Sequence, residues 1–237
     1  MMFTTTTTYH GAKPYAWSYS KLKNWRVCPK RHRHYDVLPK GHPEKIVEPE
    51  SEQLAYGNDV HKAMAMRIEK GVPLPVPYAS FEKYALALLK NPGQILVEQK
   101  VAIRRDYSAC GYFADGVWFR SVADAIKIVG DVGLIVDWKT GKVDEQSEQL
   151  LLCAACVFAA YPQVHTIRSK FVWLQFDAET VVDITRADMP KLWAHLMPEL
   201  QMLEQATTNE IFPPKPGYLC KNWCAVKSCQ YNGKGNS

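Results

Sequence analysis

Val122-Ala-Asp-Ala-Ile-Lys-Ile-Val129, Gly130-Asp-Val-Gly133 and Leu134-Ile-Val-Asp-Trp138 run consecutively, with Lys139 next, and their reading decides the fold. The first segment alternates imperfectly and reads as a strand, the second has turn composition, and the third reads as a second strand, so the expectation is a hairpin. Strand side chains repeat every two residues, so Asp137 and Lys139 project from one face, and the short turn brings Asp124 alongside. Two carboxylates and one ammonium then converge. Asp124 and Asp137 lie among Val, Ile, Leu and Ala, where an unpaired carboxylate is costly, so the expected uses are a bound cation or a pair with Lys139.

Working toward the N-terminus, Ile95 to Ile103 alternates like a strand with Glu98 at its middle. Glu98 reads as either a ligand for a second metal ion or an exposed strand residue, and the exposed reading is preferred. A helix is expected near Ser80 to Lys90, and another over Glu52 to Lys70, stopped by Gly71 and Pro73-Leu-Pro-Val-Pro77. On a wheel His61 shares a face with Leu54, Gly57, Ala65 and Ile68, so it is expected to face protein. Residues 18 to 35 read as a first helix. Its Lys30-Arg-His-Arg-His34 run is a solvated face in the plain reading, or a DNA-backbone contact through Lys30, Arg31 and Arg33.

Toward the C-terminus, a helix over Glu145 to Ala160 carries Gln149, and two strands are expected at Ser169 to Phe176 and Thr180 to Thr185. A last helix over Asp188 to Gln205 should bend at Pro198. The tail holds Cys220, Cys224 and Cys229, three thiol ligands within ten residues, so a metal site there needs a fourth. Cys28 or a histidine of the basic run is available for zinc. Cys153 and Cys156 sit in an apolar helix and read as small buried residues. Strand tryptophans read as core, while Trp223, between the cysteines, is the candidate for stacking on a base.

An Asp followed at this distance by Asp-x-Lys resembles the PD-(D/E)XK nuclease superfamily. Ser18-Tyr-Ser-Lys-Leu22 with Cys28-Pro29, Gly57-Asn-Asp-Val-His61 and Gln149 resemble its RecB-like branch more narrowly. Cys28 with Cys220, Cys224 and Cys229 resembles the one-plus-three cysteines of iron–sulfur members such as the CRISPR-associated RecB-like exonucleases. One departure stands out: where the family usually has Tyr four residues after the Gln, this chain has Cys153. The resemblance implies an α/β, restriction-endonuclease-like core with a central mixed sheet. It also implies Mg²⁺ or Mn²⁺ held by Asp124, Asp137, His61 and the Trp138 carbonyl, with Lys139 orienting or deprotonating water and Gln149 positioning water or phosphate. The four cysteines would hold a [4Fe-4S] cluster, with Zn²⁺ as the alternative.

Composition narrows this only mildly. The chain has 237 residues, 47% of them hydrophobic, enough for a sizeable core. A net charge of +5 and a pI near 8.7 are compatible with a polyanionic partner. The opening Met1 to Thr8 has neither a basic nor an apolar signal region and reads as a tail, and the longest apolar run, Leu150 to Tyr161, is short of the roughly 20 residues a membrane span needs. Seven cysteines without an export signal argue for reduced thiols or metal ligands. No phosphate-loop or dinucleotide fingerprint is present.

The expected organisation is a helical cap over 1–92, a nuclease core over 93–206 and a cysteine-rich tail over 207–237 that folds back to Cys28 as a metal-cluster lobe. The expected function is a metal-dependent DNA exonuclease of recombination, repair or phage and CRISPR-related processing. Single-stranded ends are its favoured partner, a helicase or recombination protein a further one, and the cytoplasm of a bacterial or phage-infected cell its place, with no membrane. The alternatives are a catalytically silent DNA-binding or scaffold subunit of the same fold, and a zinc-bearing nucleic-acid-binding module.

Overall fold

The computed structural model describes residues 15–234, and the expected tail over residues 1–8 lies outside them. The hairpin forms as β3 (Phe119–Val129) and β4 (Val132–Lys139). Its turn is tighter than expected. Val129 pairs with Val132, leaving only Gly130 and Asp131 in the loop, and Gly130 takes the left-handed conformation (φ 59°) that so short a reversal needs.

Around it stand β1 (Gln94–Ile103), β2 (Ala109–Cys110), β5 (Thr166–Trp173) and β6 (Ala178–Thr185), giving one six-stranded sheet in the order β2-β1-β3-β4-β5-β6. All neighbours are antiparallel except β4 and β5, which run parallel and are joined by α5 (Glu148–Ala160) as a crossover. The sheet is therefore mixed, with helices on both faces. One face carries α1 (Tyr19–Val27), α5 and α6 (Met189–Asn209). Leu22 and Trp25 of α1, Leu152 to Phe158 of α5, and Leu192, Leu196, Leu200 and Leu203 of α6 share a core there with Ile126, Ile128 and Ile135. The 3–4 residue spacing on α6 is the expected stripe of an amphipathic helix. The other face carries α3 (Glu52–Lys70) and α4 (Glu82–Leu89). There Val60, Met64, Ile68, Ala85 and Leu88 meet Ala125, Val136, Trp138 and Val172.

Helix α3 has the expected bounds because its ends are chemically marked. Ser51 Oγ accepts from Leu54 N at 3.2 Å, and Gly71 ends the helix at φ 69°. The single first helix expected over 18–35 is instead broken in two. Cys28 is extended (φ −169°, ψ 121°), as the residue before a proline prefers, and Pro29 then opens α2 (Pro29–His32). A π turn follows at Arg33–Val37.

The chain after Ile211 is largely irregular apart from α7 (Leu219–Asn222), and it returns to the first helices: Lys215 N donates to Cys28 Sγ at 3.2 Å. Among the described residues no helix is long and apolar enough to cross a membrane.

Two neighbours on α6 test this packing. Leu203 is fully buried and Met202 is 55% exposed. Leu203→Ala should cost about 2–5 kcal/mol in urea-unfolding experiments, whereas Met202→Ala should stay within about 0.5 kcal/mol of wild type.

Candidate functional site

The site lies where the sheet departs from regular alternation. On β3, Phe119 and Ala123 face the α5 side, and so do Ile126 and Ile128, while Ala125 faces α3. An odd step between Ala123 and Ile126 means that the pleat slips once, and Asp124 turns toward α3 beside Ala125. The slip has a match on β1. Leu96 and Val101 face α5, Ile95 and Val97 face the α3 side, and Glu98 between them has φ 48°. Val97 pairs with Ala125 and Gln99 with Ala123, so the two irregularities sit opposite one another and the register is kept on both sides. A left-handed Glu is strained by about 1–3 kcal/mol, and such strain is concentrated at functional sites.

This turns three ligating side chains into one space. A ligand atom each of His61, Glu98 and Asp124 lies within 4.8 Å of the other two. His61 Nδ1 is 3.0 Å from Asp124 Oδ1, and Asp124 Oδ2 accepts the Trp138 backbone N–H at 2.7 Å. Gly57, one turn before His61, helps α3 come close: a Cβ there would meet Thr140 Oγ1 at 3.2 Å.

Asp137 and Lys139 point to the opposite side of β4, toward α5. Lys139 Nζ is 2.6 Å from Asp137 Oδ2, and Gln149 bridges them, donating to Asp137 Oδ1 at 3.0 Å and accepting from Lys139 at 3.3 Å. The Trp138 ring, 2% exposed, is a core residue packed on the α3 side.

Electrostatics tie the two halves together. Burial is the largest influence on His61 and lowers its pKa, but the hydrogen bond to Asp124 and the charges of Asp124, Asp137 and Glu98 outweigh it and leave the imidazole raised. Burial first, then the Asp124 charge, raise the Asp137 carboxyl against the pull of Lys139. Desolvation and Asp124 likewise raise Glu98. Asp124 thus feels Glu98 within the cleft and Asp137 across β4, and the two carboxylates that share the cleft with His61 favour a cation.

The expected metal set was His61, Asp124, Asp137 and the Trp138 carbonyl. The structure gathers His61 and Asp124 with Glu98 and places Asp137 with Lys139 and Gln149. Glu98 is exposed, as preferred from sequence, yet it belongs to the cluster, and only a backbone angle invisible in a strand pattern brings it there. The helical-wheel face of His61 also needs correction. Leu54 is 54% exposed, and the buried stripe of α3 is Val60, Met64 and Ile68, with His61 at its edge.

Cys28, Cys220, Cys224 and Cys229 line one cavity of about 170 Å³, together with Lys30 and Arg31. The basic run is not uniformly solvated. His32 and His34 are buried, their Nδ1 atoms 2.9 Å from Asp36 Oδ2 and the Glu44 carbonyl oxygen. Arg31 stacks on Tyr35 at 4.0 Å and lies 3.7 Å from Glu48, Arg33 pairs with Glu44 at 3.1 Å, and Trp223 is 74% exposed. Cys153 and Cys156 are buried in α5, and burial pushes the Cys153 thiol up to about 12.

No protein-family model and no curated protein matches the sequence. Two solved structures are similar in shape. A candidate exonuclease from Eubacterium rectale is 12% identical, with 89% of this chain and 87% of that one covered and a TM-score of 0.49. The protein SSO0001 is 13% identical, with 94% and 90% covered and a TM-score of 0.38.

The strain at Glu98 gives a direct test. Asn tolerates the left-handed region and removes one charge facing Asp124, so Glu98→Asn should stabilise the metal-free protein by about 1 kcal/mol in urea unfolding with a chelator present.

Proposed function

We propose that this chain is a RecB-like PD-(D/E)XK nuclease with a restriction-endonuclease-like core, a metal-dependent exonuclease on DNA. The observation that carries this reading is the convergence of His61 from α3, Glu98 from β1 and Asp124 from β3 within 4.8 Å, with β3 adjoining the β4 strand that carries Asp137 and Lys139. One imidazole and two carboxylates suit a small divalent cation, and the nitrogen donor tilts the choice toward Mn²⁺ over Mg²⁺. Such a cation, when bound, offsets charge on a phosphodiester and makes water more acidic.

The remaining chemistry belongs to the chain. Trp138 N–H holds Asp124 by Oδ2, which leaves Oδ1 with His61 in the cleft. Gln149 fixes Asp137 Oδ1, and Asp137 in turn positions the Lys139 ammonium. A positively charged Lys139 held in this way stabilises the negative charge that grows on the phosphate oxygens, or orients the attacking water. Exonuclease rather than endonuclease action, a preference for single-stranded ends, a helicase or recombination partner and a bacterial or phage-infected cytoplasm rest on the family resemblance alone.

The cysteine cavity is our proposed site for the [4Fe-4S] cluster. Its volume of about 170 Å³ is more than ten times the ~10–15 Å³ that one water needs, which favours a cluster over a single zinc ion. Neither His32 nor His34 lines it, so Cys28 is the fitting fourth ligand. A cluster there would close a chain loop of about 190 residues and act as a staple. Iron, sulfide and zinc content of anaerobically purified protein decides between the two groups.

A second reading has one observation behind it. Lys139 at 2.6 Å from Asp137 is also what a purely structural ion pair looks like, and the chain would then be a DNA-binding subunit without hydrolysis.

Digestion of end-labelled single- and double-stranded DNA separates the readings. Wild type should cleave with Mn²⁺ or Mg²⁺, Lys139→Ala should lose at least about 100-fold in rate, and Glu98→Gln should weaken Mn²⁺ binding at least about tenfold by calorimetry. Folded wild type that binds DNA and leaves both substrates intact would replace the nuclease with the binding subunit.

A further inference from the structure

We propose that Tyr112 and Phe113, with Lys100 and Arg120, form a platform on which bases of single-stranded nucleic acid stack as the strand leaves the acidic cleft; this rests on the nuclease reading above. Phe113 is 76% exposed, an unusual setting for so large an apolar ring. It is held in place rather than free. Tyr112 meets it edge-on at 5.0 Å, and the turn that carries both rings is closed by Ala114 N donating to Gly111 O at 2.9 Å.

Two cations flank the rings. Lys100 Nζ lies 5.8 and 5.6 Å from the Tyr112 and Phe113 ring centres, and Arg120 Cζ lies 5.4 and 5.8 Å from the same two. The Arg120 Nε–H is buried without an acceptor among the described residues. Further positive charge stands close by. The Lys21 pKa is lowered, chiefly by burial, with the charges of Arg120 and Lys45 adding to it against the pull of Asp36. Aromatic faces interleaved with cations are the chemistry that seats single strands: the rings take the bases and the charges take the phosphates.

Position makes the platform part of the cleft. Val101 and Ile103 of β1 and Phe119 and Ala123 of β3 face α5, so Lys100 and Arg120 face the opposite side, the side that carries His61. Arg120 pairs with Ala102 and Lys100 with Val122, which sets them close together on adjoining strands. At about 3.3 Å per residue, Lys100 is roughly 7 Å along β1 from Glu98, and Arg120 roughly 13 Å along β3 from Asp124. A strand with one phosphate at the triad therefore reaches the rings within a few nucleotides. A duplex does not offer its base faces to an edge-mounted ring, so the occupant is single-stranded.

The test is fluorescence anisotropy in chelator-containing buffer, where no cleavage occurs, with labelled oligothymidylate, an abasic oligomer of equal length, and a duplex. Wild type should bind oligothymidylate tightest. Phe113→Ala should weaken that binding by roughly 5- to 30-fold and leave the abasic oligomer unaffected, and Phe113→Trp should restore it. Lys100→Gln and Arg120→Gln should weaken both single strands alike and flatten the salt dependence.

Equal affinity of wild type for the base-bearing and abasic oligomers overturns the platform, as does a Phe113→Ala protein that binds like wild type or a preference for duplex. Because binding is read with cleavage blocked, loss of the platform with DNA digestion intact is distinct from loss of the nuclease reading. The exposed position of Phe113 makes unfolding of its variants a minor concern, and a matched thermal melt verifies it.

Discussion

Two buried carboxylates on adjoining strands set the terms for the rest of the molecule. Asp124 and Asp137 are 7% and 8% exposed, and an ionised carboxylate at such depth costs several kcal/mol unless it is fully partnered. The chain partners them from opposite sides of the sheet. Asp124 takes His61 from α3 and the Trp138 N–H from β4, whereas Asp137 takes Lys139 from its own strand and Gln149 from α5. The layers are therefore joined by charge as well as by apolar contact. Removing either helix would leave one carboxylate with a single partner.

That division explains the odd step in the sheet. Counted back from Ile126 and Ile128, regular alternation would send Asp124 to the α5 side, where Lys139 and Gln149 are already taken by Asp137. The slip at Asp124 sends it to α3 instead, and the matching left-handed Glu98 lets β1 follow without loss of register. The strain is confined to a residue whose carboxylate then enters the cleft. Outside this point both strands resume ordinary packing, Ile128 on one side and Lys127 on the other, the latter capping backbone carbonyls of Leu88 and Asn91.

Much of this was legible in the sequence where the local chemistry is decisive. The hairpin announced itself by alternation around glycines, and α3 by Ser51 and Gly71 at its ends. Asp124, Asp137, Lys139, His61 and Gln149 do come together around one stretch of the sheet, though as two linked groups rather than as one ligand shell. Glu98 was not legible as a cluster member because its role depends on a positive φ that a run such as Val97-Glu-Gln-Lys100 does not encode. The break at Cys28 was encoded, in the Cys28-Pro29 pair itself, but helical periodicity over 18–35 hid it. Leu54 is exposed although the helical wheel puts it on the face of His61, and the buried His32 and His34 are held by Asp36 within the π turn and by the Glu44 carbonyl beyond it.

The cysteine lobe is less remote from the site than its place at the end of the chain suggests. Cys28, which lines the cavity and receives Lys215 N–H, is two residues from Arg26. Arg26 forms ion pairs with Glu148 at 2.5 Å and Glu199 at 2.8 Å, burying part of its guanidinium between the first turn of α5 and the middle of α6. Glu148 directly precedes Gln149, which holds Asp137 and Lys139. A guanidinium shared by two carboxylates fixes direction as well as distance, so the first turn of α5 is oriented by the same short segment that carries the first cysteine. Partial exposure limits what these pairs add to stability. Their consequence is geometric: Arg26 links the segment that carries the first cysteine to the helix turn that carries Gln149, and so joins the two candidate metal-binding regions.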